Sequence, residues 1–136
     1  MPWLERLRAR YHYALGLAQH SRGSRANSLA AYEEAIAELT VALEINPALT
    51  GAHYARGLIY WRELNDYERA VRDFTRALEL DPQLARAYLN RGLSRVFGNI
   101  GTREEAIADF EQYLALDNNR YWRMEARHQI AQLKNG

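Results

Sequence analysis

The sequence predicts an all-α fold, built as a short stack of antiparallel helix hairpins. Three observations carry this. The chain repeats itself: Ala70-Val71-x-x-Phe74-x-x-Ala77-Leu78-x-Leu80-Asp81-Pro82 restates Ala35-Ile36-x-x-Leu39-x-x-Ala42-Leu43-x-Ile45-Asn46-Pro47 at an offset of 35 residues. Ala106-Ile107-x-x-Phe110-x-x-Tyr113-Leu114-x-Leu116-Asp117-Asn118 follows at an offset of 36. A period of that size marks stacked supersecondary units rather than one globular core. Apolar residues also recur at three and four rather than at two, in a background of Ala, Leu, Glu and Arg, which is the signature of helix. Finally, the three prolines, Pro2, Pro47 and Pro82, stand at the start or between units, where a helix has to end.

The first hairpin spans about residues 3–46, with an internal break expected at Arg22-Gly23-Ser24-Arg25-Ala26-Asn27-Ser28. The second spans about 48–81 and breaks at Asn65-Asp66, with Asp66 as a helix N-cap. The third spans about 83–117 and breaks at Gly98-Asn99-Ile100-Gly101-Thr102, where Thr102 and Glu105 form a capping box. These connections are short enough to force antiparallel neighbours. A seventh helix, about 120–134, carries Trp122, Ala126, Ile130 and Leu133 on one face, and Arg123, Glu125, Arg127 and Lys134 are polar. Such a helix covers the apolar end that a repeat array otherwise exposes.

The second unit contains His53-x2-Arg56-Gly57-x2-Tyr60, Ala70-x3-Phe74 and Pro82; the third contains Tyr88-x2-Arg91-Gly92-x2-Arg95 and Ala106-x3-Phe110; the first contains His12-x2-Leu15-Gly16-x2-Gln19, Ala35-x3-Leu39 and Pro47. This pattern resembles the tetratricopeptide repeat, over about residues 9–118. The resemblance implies a right-handed α-solenoid of three hairpins plus a capping helix, with the first (A) helices lining a concave surface and the second (B) helices outside. Gly16, Gly57 and Gly92 then sit where helices cross closely, because a Cβ would hold the axes apart. The turns depart from the pattern. Gly16 to Ala35 is 19 residues, Gly57 to Ala70 is 13 and Gly92 to Ala106 is 14, against about 12 in the family. The first hairpin therefore carries a long loop or overlong helices, read as tolerated length rather than function.

Composition narrows the function. A net charge of +1 supplies no global field for nucleic acid or anionic lipid. The Arg residues read as scattered among as many acids, except that Arg6, Arg8, Arg10, Arg22 and Arg25 face only Glu5. No cysteine is present, which excludes disulfides, thiol catalysis and Cys-ligated zinc. No apolar run reads as a membrane span or a secretory signal, so the expected location is the cytoplasm, with no membrane partner. His12 and His53 hold equivalent packing positions, so no metal or cofactor is expected. Glu33-Glu34 and Glu104-Glu105 stand near the starts of B helices, where acids favour the macrodipole. No Ser/His/Asp set, phosphate loop or dinucleotide fingerprint appears. The expectation is a non-catalytic protein.

In the second unit Tyr54, Leu58 and Trp61 form a stripe beside the packing stripe His53, Gly57 and Tyr60. A helix apolar on two faces is buried on both or offers one to a ligand. The stripe recurs as Tyr13, Leu17 and His20, and as Leu89, Leu93 and Val96, and the resemblance places it on the concave groove. Arg10, Arg62, Arg86 and Phe97 flank it. Aromatics and Arg are enriched at interaction hot spots. The expected function is a scaffold that holds a peptide or helix of a partner protein, with Tyr13, Leu17, Tyr54, Leu58, Trp61, Leu89, Leu93 and Phe97 in apolar contact and Arg62 and Arg86 orienting it. The alternatives are a homo-oligomer that buries the strip and, less favoured, RNA binding. The family's carboxylate clamp for acidic chaperone tails falls here on Tyr13, Leu17, Ala55, Arg86 and Asn90; only Arg86 has a suitable charge, which argues against that clamp.

Overall fold

The computed structural model describes residues 2–136, and among them seven helices occur with no strand. They are α1 (Pro2–Ala26), α2 (Leu29–Ile45), α3 (Thr50–Leu58, continuing as a π-helical turn Ile59–Glu63), α4 (Tyr67–Leu80), α5 (Ala85–Gly98), α6 (Arg103–Leu116) and α7 (Arg120–Asn135). Each packs chiefly on its chain neighbours. The result is an α-solenoid of three hairpins, α1/α2, α3/α4 and α5/α6, closed by α7.

One device makes all three intra-hairpin turns. Asn27, Asn65 and Asn99 adopt left-handed backbone, with φ of 49°, 51° and 52°. Asn tolerates that region where most residues do not. The next helix then starts on a side-chain cap: Ser28 Oγ accepts from Ala31 N–H, Asp66 from Arg69 N–H and Thr102 from Glu105 N–H. Thr102 and Glu105 close the expected capping box.

In the first hairpin the expected seven-residue break is shorter than the sequence implies. Arg22 to Ala26 are helical, and the break is only Asn27-Ser28. The extra residues lengthen the helices instead of forming a loop. Gly23 is the reason they stay helical and packed: a Cβ there would lie 2.7 Å from two ring atoms of Tyr32, so the glycine lets α2 approach an additional turn of α1. In the second hairpin the surplus residue is absorbed by the π-helical turn, where Leu64 N–H bonds Ile59 O at 3.1 Å. In the third hairpin two surplus residues enter the Asn99–Thr102 turn.

Gly16, Gly57 and Gly92 lie at close crossings, against Leu39, Phe74 and Phe110 respectively. The core is a row of inter-helix contacts in which Leu39, Ile59, Phe74, Leu89, Phe110 and Tyr113 are fully buried. Arg56 and Arg91 stand where the family pattern has Leu. Each spans two units in the same way. Arg56 forms a bidentate pair with Asp73 (2.8 and 2.7 Å) and donates to Thr40 Oγ1. Arg91 does so with Asp109 (3.0 and 2.6 Å) and Thr75. The polar replacement is therefore a repeated tie between three helices.

Candidate functional site

The stripe residues fall into three zones along the A helices. At the N-terminal end, α1 has 25 residues and α2 only 17, so the first turns of α1 overhang their partner and run beside the α2–α3 connection. Trp3, Arg6, Leu7, Arg10, Tyr13 and Leu17 from α1 line an open groove of about 830 Å³, completed by Asn46 and Leu49. Tyr13 is half-buried against the core and lies on Gly51, which leaves no room for a Cβ; Leu17 is exposed. Trp3 and Leu7 precede the repeat motif, so the motif does not point to them. Continuing the helical spacing of Leu17 and Ala14 backwards reaches both.

The central zone joins α3 to α5. Tyr54 and Leu58 are half-buried over Phe74, and Asn90 Nδ2 donates to Tyr54 Oη at 3.1 Å. Burial pushes the Tyr54 phenol up, while the charges of Arg86 and Arg62 and the Asn90 hydrogen bond pull it back. Trp61, on the π-helical turn, packs its ring 5.5 Å from Phe97 and 5.7 Å from Tyr67. Phe97 is 60% exposed and Arg62 is exposed.

Leu89 and Leu93 do not belong to this surface. They are buried among Ala106, Phe110, Tyr113 and Ala126, because α7 covers the end of the stack with Trp122 and Ile130. The register of the stripe is kept, but the capping helix converts its third copy into core. In the third zone Arg86 lies 5.1 Å over the Trp122 ring, a cation–π contact that no sequence motif signals. Asn90, at a clamp position, is buried and engaged with Tyr54, and Ala55 is buried.

The charges are not scattered. α1 has five Arg to one Glu, α3 with its π turn two Arg to one Glu, α5 three Arg and no acid, and α7 four bases to one Glu. α2 has four Glu and no base, α4 three of each, and α6 one Arg to four acids. The A helices and α7 thus hold 14 of the 18 basic residues, and the B helices hold 11 of the 17 acids. The expectation of mixed charge fails because sequence neighbours alternate between layers. No helix of the described residues is long and apolar enough to cross a membrane.

Stacked helix pairs with small residues at the crossings define a helical-repeat protein. The chain carries tetratricopeptide repeats: a TPR repeat matches residues 62–95 and a tetratricopeptide repeat residues 85–120. The Arabidopsis OM64 TPR domain is similar in structure, with a TM-score of 0.75 at 25% identity, over 96% of this chain and 98% of that one. So is the second TPR domain of human RPAP3 in complex with the HSP70 peptide SGPTIEEVD, with a TM-score of 0.74 at 25% identity and 98% coverage of both chains. The second TPR of Spaghetti (RPAP3), bound to the HSP90 peptide SRMEEVD, has a TM-score of 0.70 at 28% identity, over 82% of this chain and 94% of that one. No curated protein matches the sequence.

Proposed function

We propose that this protein is a non-catalytic scaffold that holds a polypeptide segment of a partner on the A-helix face. The observation that carries the reading is the aromatic platform of Trp61 and Phe97, continuous with Tyr54 and Leu58. Phe97 is left open to solvent although one part of its ring contacts Trp61 of the neighbouring unit. An exposed aromatic has few rotatable bonds, so it binds without much loss of conformational freedom. Similar TPR domains are bound to peptides, which supports the class of ligand. Tyr13, Leu17, Tyr54, Leu58, Trp61 and Phe97 supply apolar contact, and Arg62 and Arg86 orient carboxylate or carbonyl groups. Leu89 and Leu93 leave the set, since α7 covers them. The engaged or buried states of Ala55 and Asn90 argue against a chaperone-tail clamp of the familiar kind.

Affinity capture with native chain and with Phe97→Ala tests this. Because Phe97 is largely exposed and loses one aromatic contact, truncation should leave stability within about 1 kcal/mol of native in thermal unfolding. Proteins captured by the native chain should be lost or depleted with the variant. Identical capture profiles, or light scattering that shows a dimer which Phe97→Ala dissociates, would overturn the reading.

A further inference from the structure

We propose that the groove along the overhang of α1 docks an acid-flanked amphipathic helix of a partner protein, with its apolar side chains on Trp3, Leu7 and Leu17 and its carboxylates on Arg6 and Arg10. This rests on the reading that the A-helix face receives polypeptide, and it assigns the chemistry of the segment that the first unit takes.

The groove is built to the length of a helix. Trp3 to Leu17 is four turns of α1, about 21 Å at 1.5 Å per residue. Trp3, Leu7 and Leu17 lie on one side of it and are 54%, 59% and 42% exposed. Leu49, from the α2–α3 connection, forms the opposing apolar wall. These are anchors at helical spacing, the geometry by which a groove receives an amphipathic helix. No other described segment covers them: the buried residues of α1 are Ala9, Gly16 and Gly23.

Charge selects the occupant. Arg6 and Arg10 line the groove and have no carboxylate within ion-pair distance among the described residues, and no acidic residue lines it. The one acid of α1, Glu5, is engaged by Arg8 at 3.2 Å. Two free guanidinium groups beside an apolar floor favour a segment that brings its own carboxylates and disfavour a basic one.

The test is selection from a displayed library of random 16-residue peptides against the full chain. The selected peptides should be rich in Asp or Glu beside Leu, Phe or Ile at spacings of three and four. The double reversal Arg6→Glu, Arg10→Glu should weaken their binding at least tenfold, and should raise the affinity of the same peptides with Lys in place of their acids. Trp3→Ala, which removes no charge, should weaken both. Both variants change exposed residues, and thermal unfolding checks that they fold. Selected peptides without an acid excess, or equal affinity for native and charge-reversed chains, overturn the proposal. If the selected peptides lose affinity with Phe97→Ala but not with the double reversal, polypeptide binding stands and the groove assignment falls. If no peptide is selected, both fall. Tight binding of a uridine oligomer that the double reversal abolishes, without peptide selection, would make the groove a nucleic-acid site instead.

Discussion

Replacing Arg56 by Leu, the residue of the family pattern, should destabilise this protein by about 3 kcal/mol. The intuition that a more typical residue is a better one fails here because of Asp73. Its side chain is 6% exposed, and two guanidinium hydrogen bonds of 2.8 and 2.7 Å are what satisfy it. Without them the nearest basic group is His53 Nδ1 at 3.9 Å. Removing one partner of a buried pair costs about 3–5 kcal/mol, chiefly from the charge left behind. Arg56 keeps 20% exposure, so water reaches part of the site and the lower end applies. For a chain of this size that lowers Tm by roughly 10 °C. Adding Asp73→Ala removes the stranded carboxylate, so the double variant should recover at least about 2 kcal/mol of the loss. Urea unfolding of the native chain, both single variants and the double variant measures the coupling. Arg91→Leu should cost less than Arg56→Leu, since Arg95 Nε stays 3.4 Å from Asp109 Oδ2. A loss below about 1 kcal/mol for Arg56→Leu, or a double variant no better than the single, would refute the claim that burial of Asp73 sets the cost.

Two further outcomes follow from the geometry. Gly23→Ala should cost about 1 kcal/mol net, since the Cβ collides with the Tyr32 ring and overpacking outweighs the gain in helix propensity; a stabilised variant in urea unfolding would show that α2 does not pack on this turn. Burial raises the phenols of Tyr54, Tyr60 and Tyr113 above their ordinary value, and Asp117 adds to the shift of Tyr113. The unfolded chain therefore releases these protons first, at about pH 10. Stability is full below that pH and declines as pH rises through the folded values. Tyr113→Phe should flatten the decline in denaturant unfolding at alkaline pH, and an unchanged slope would contradict it.

The sequence disclosed the stacking because stacking has a period. Gly57 facing Phe74 and Gly92 facing Phe110 are legible as small and large residues at fixed spacing, and Thr102 with Glu105 is a local motif. What was not legible depends on how far a helix runs or on what a neighbour covers. Arg22-Gly23-Ser24-Arg25 contains a glycine and a serine, both poor in helix propensity, yet it stays helical because Tyr32, nine residues on from the glycine, packs over Gly23. Leu89 and Leu93 repeat the stripe of Tyr54 and Leu58 in register. Their burial was decided by α7, whose apolar face was visible but whose coverage of one particular stripe was not. Arg56 and Arg91 looked like departures from a pattern. Their partners, 17 and 18 residues away, make them part of it.

The charge layering shows why a net value of +1 says little about what this surface attracts. The stack is two helices thick, about 20 Å, while screening at physiological salt has a length of about 8 Å. A ligand approaching the A-helix face therefore feels the arginines of α1, α3, α5 and α7, and hardly the acids of α2 and α6 on the far side. The layers do meet in ion pairs, but the arginines these engage from the A helices are Arg56, Arg91 and Arg95, beside the histidine contacts of His12 with Glu38 and His53 with Asp73. Arg6, Arg10, Arg62 and Arg86 form no such pair among the described residues. Pairing across the layers thus accounts for the arginines that hold the stack together. Among those left over are Arg6 and Arg10 beside Trp3 and Leu7, and Arg62 and Arg86 near Tyr54, where a charged partner would gain from them.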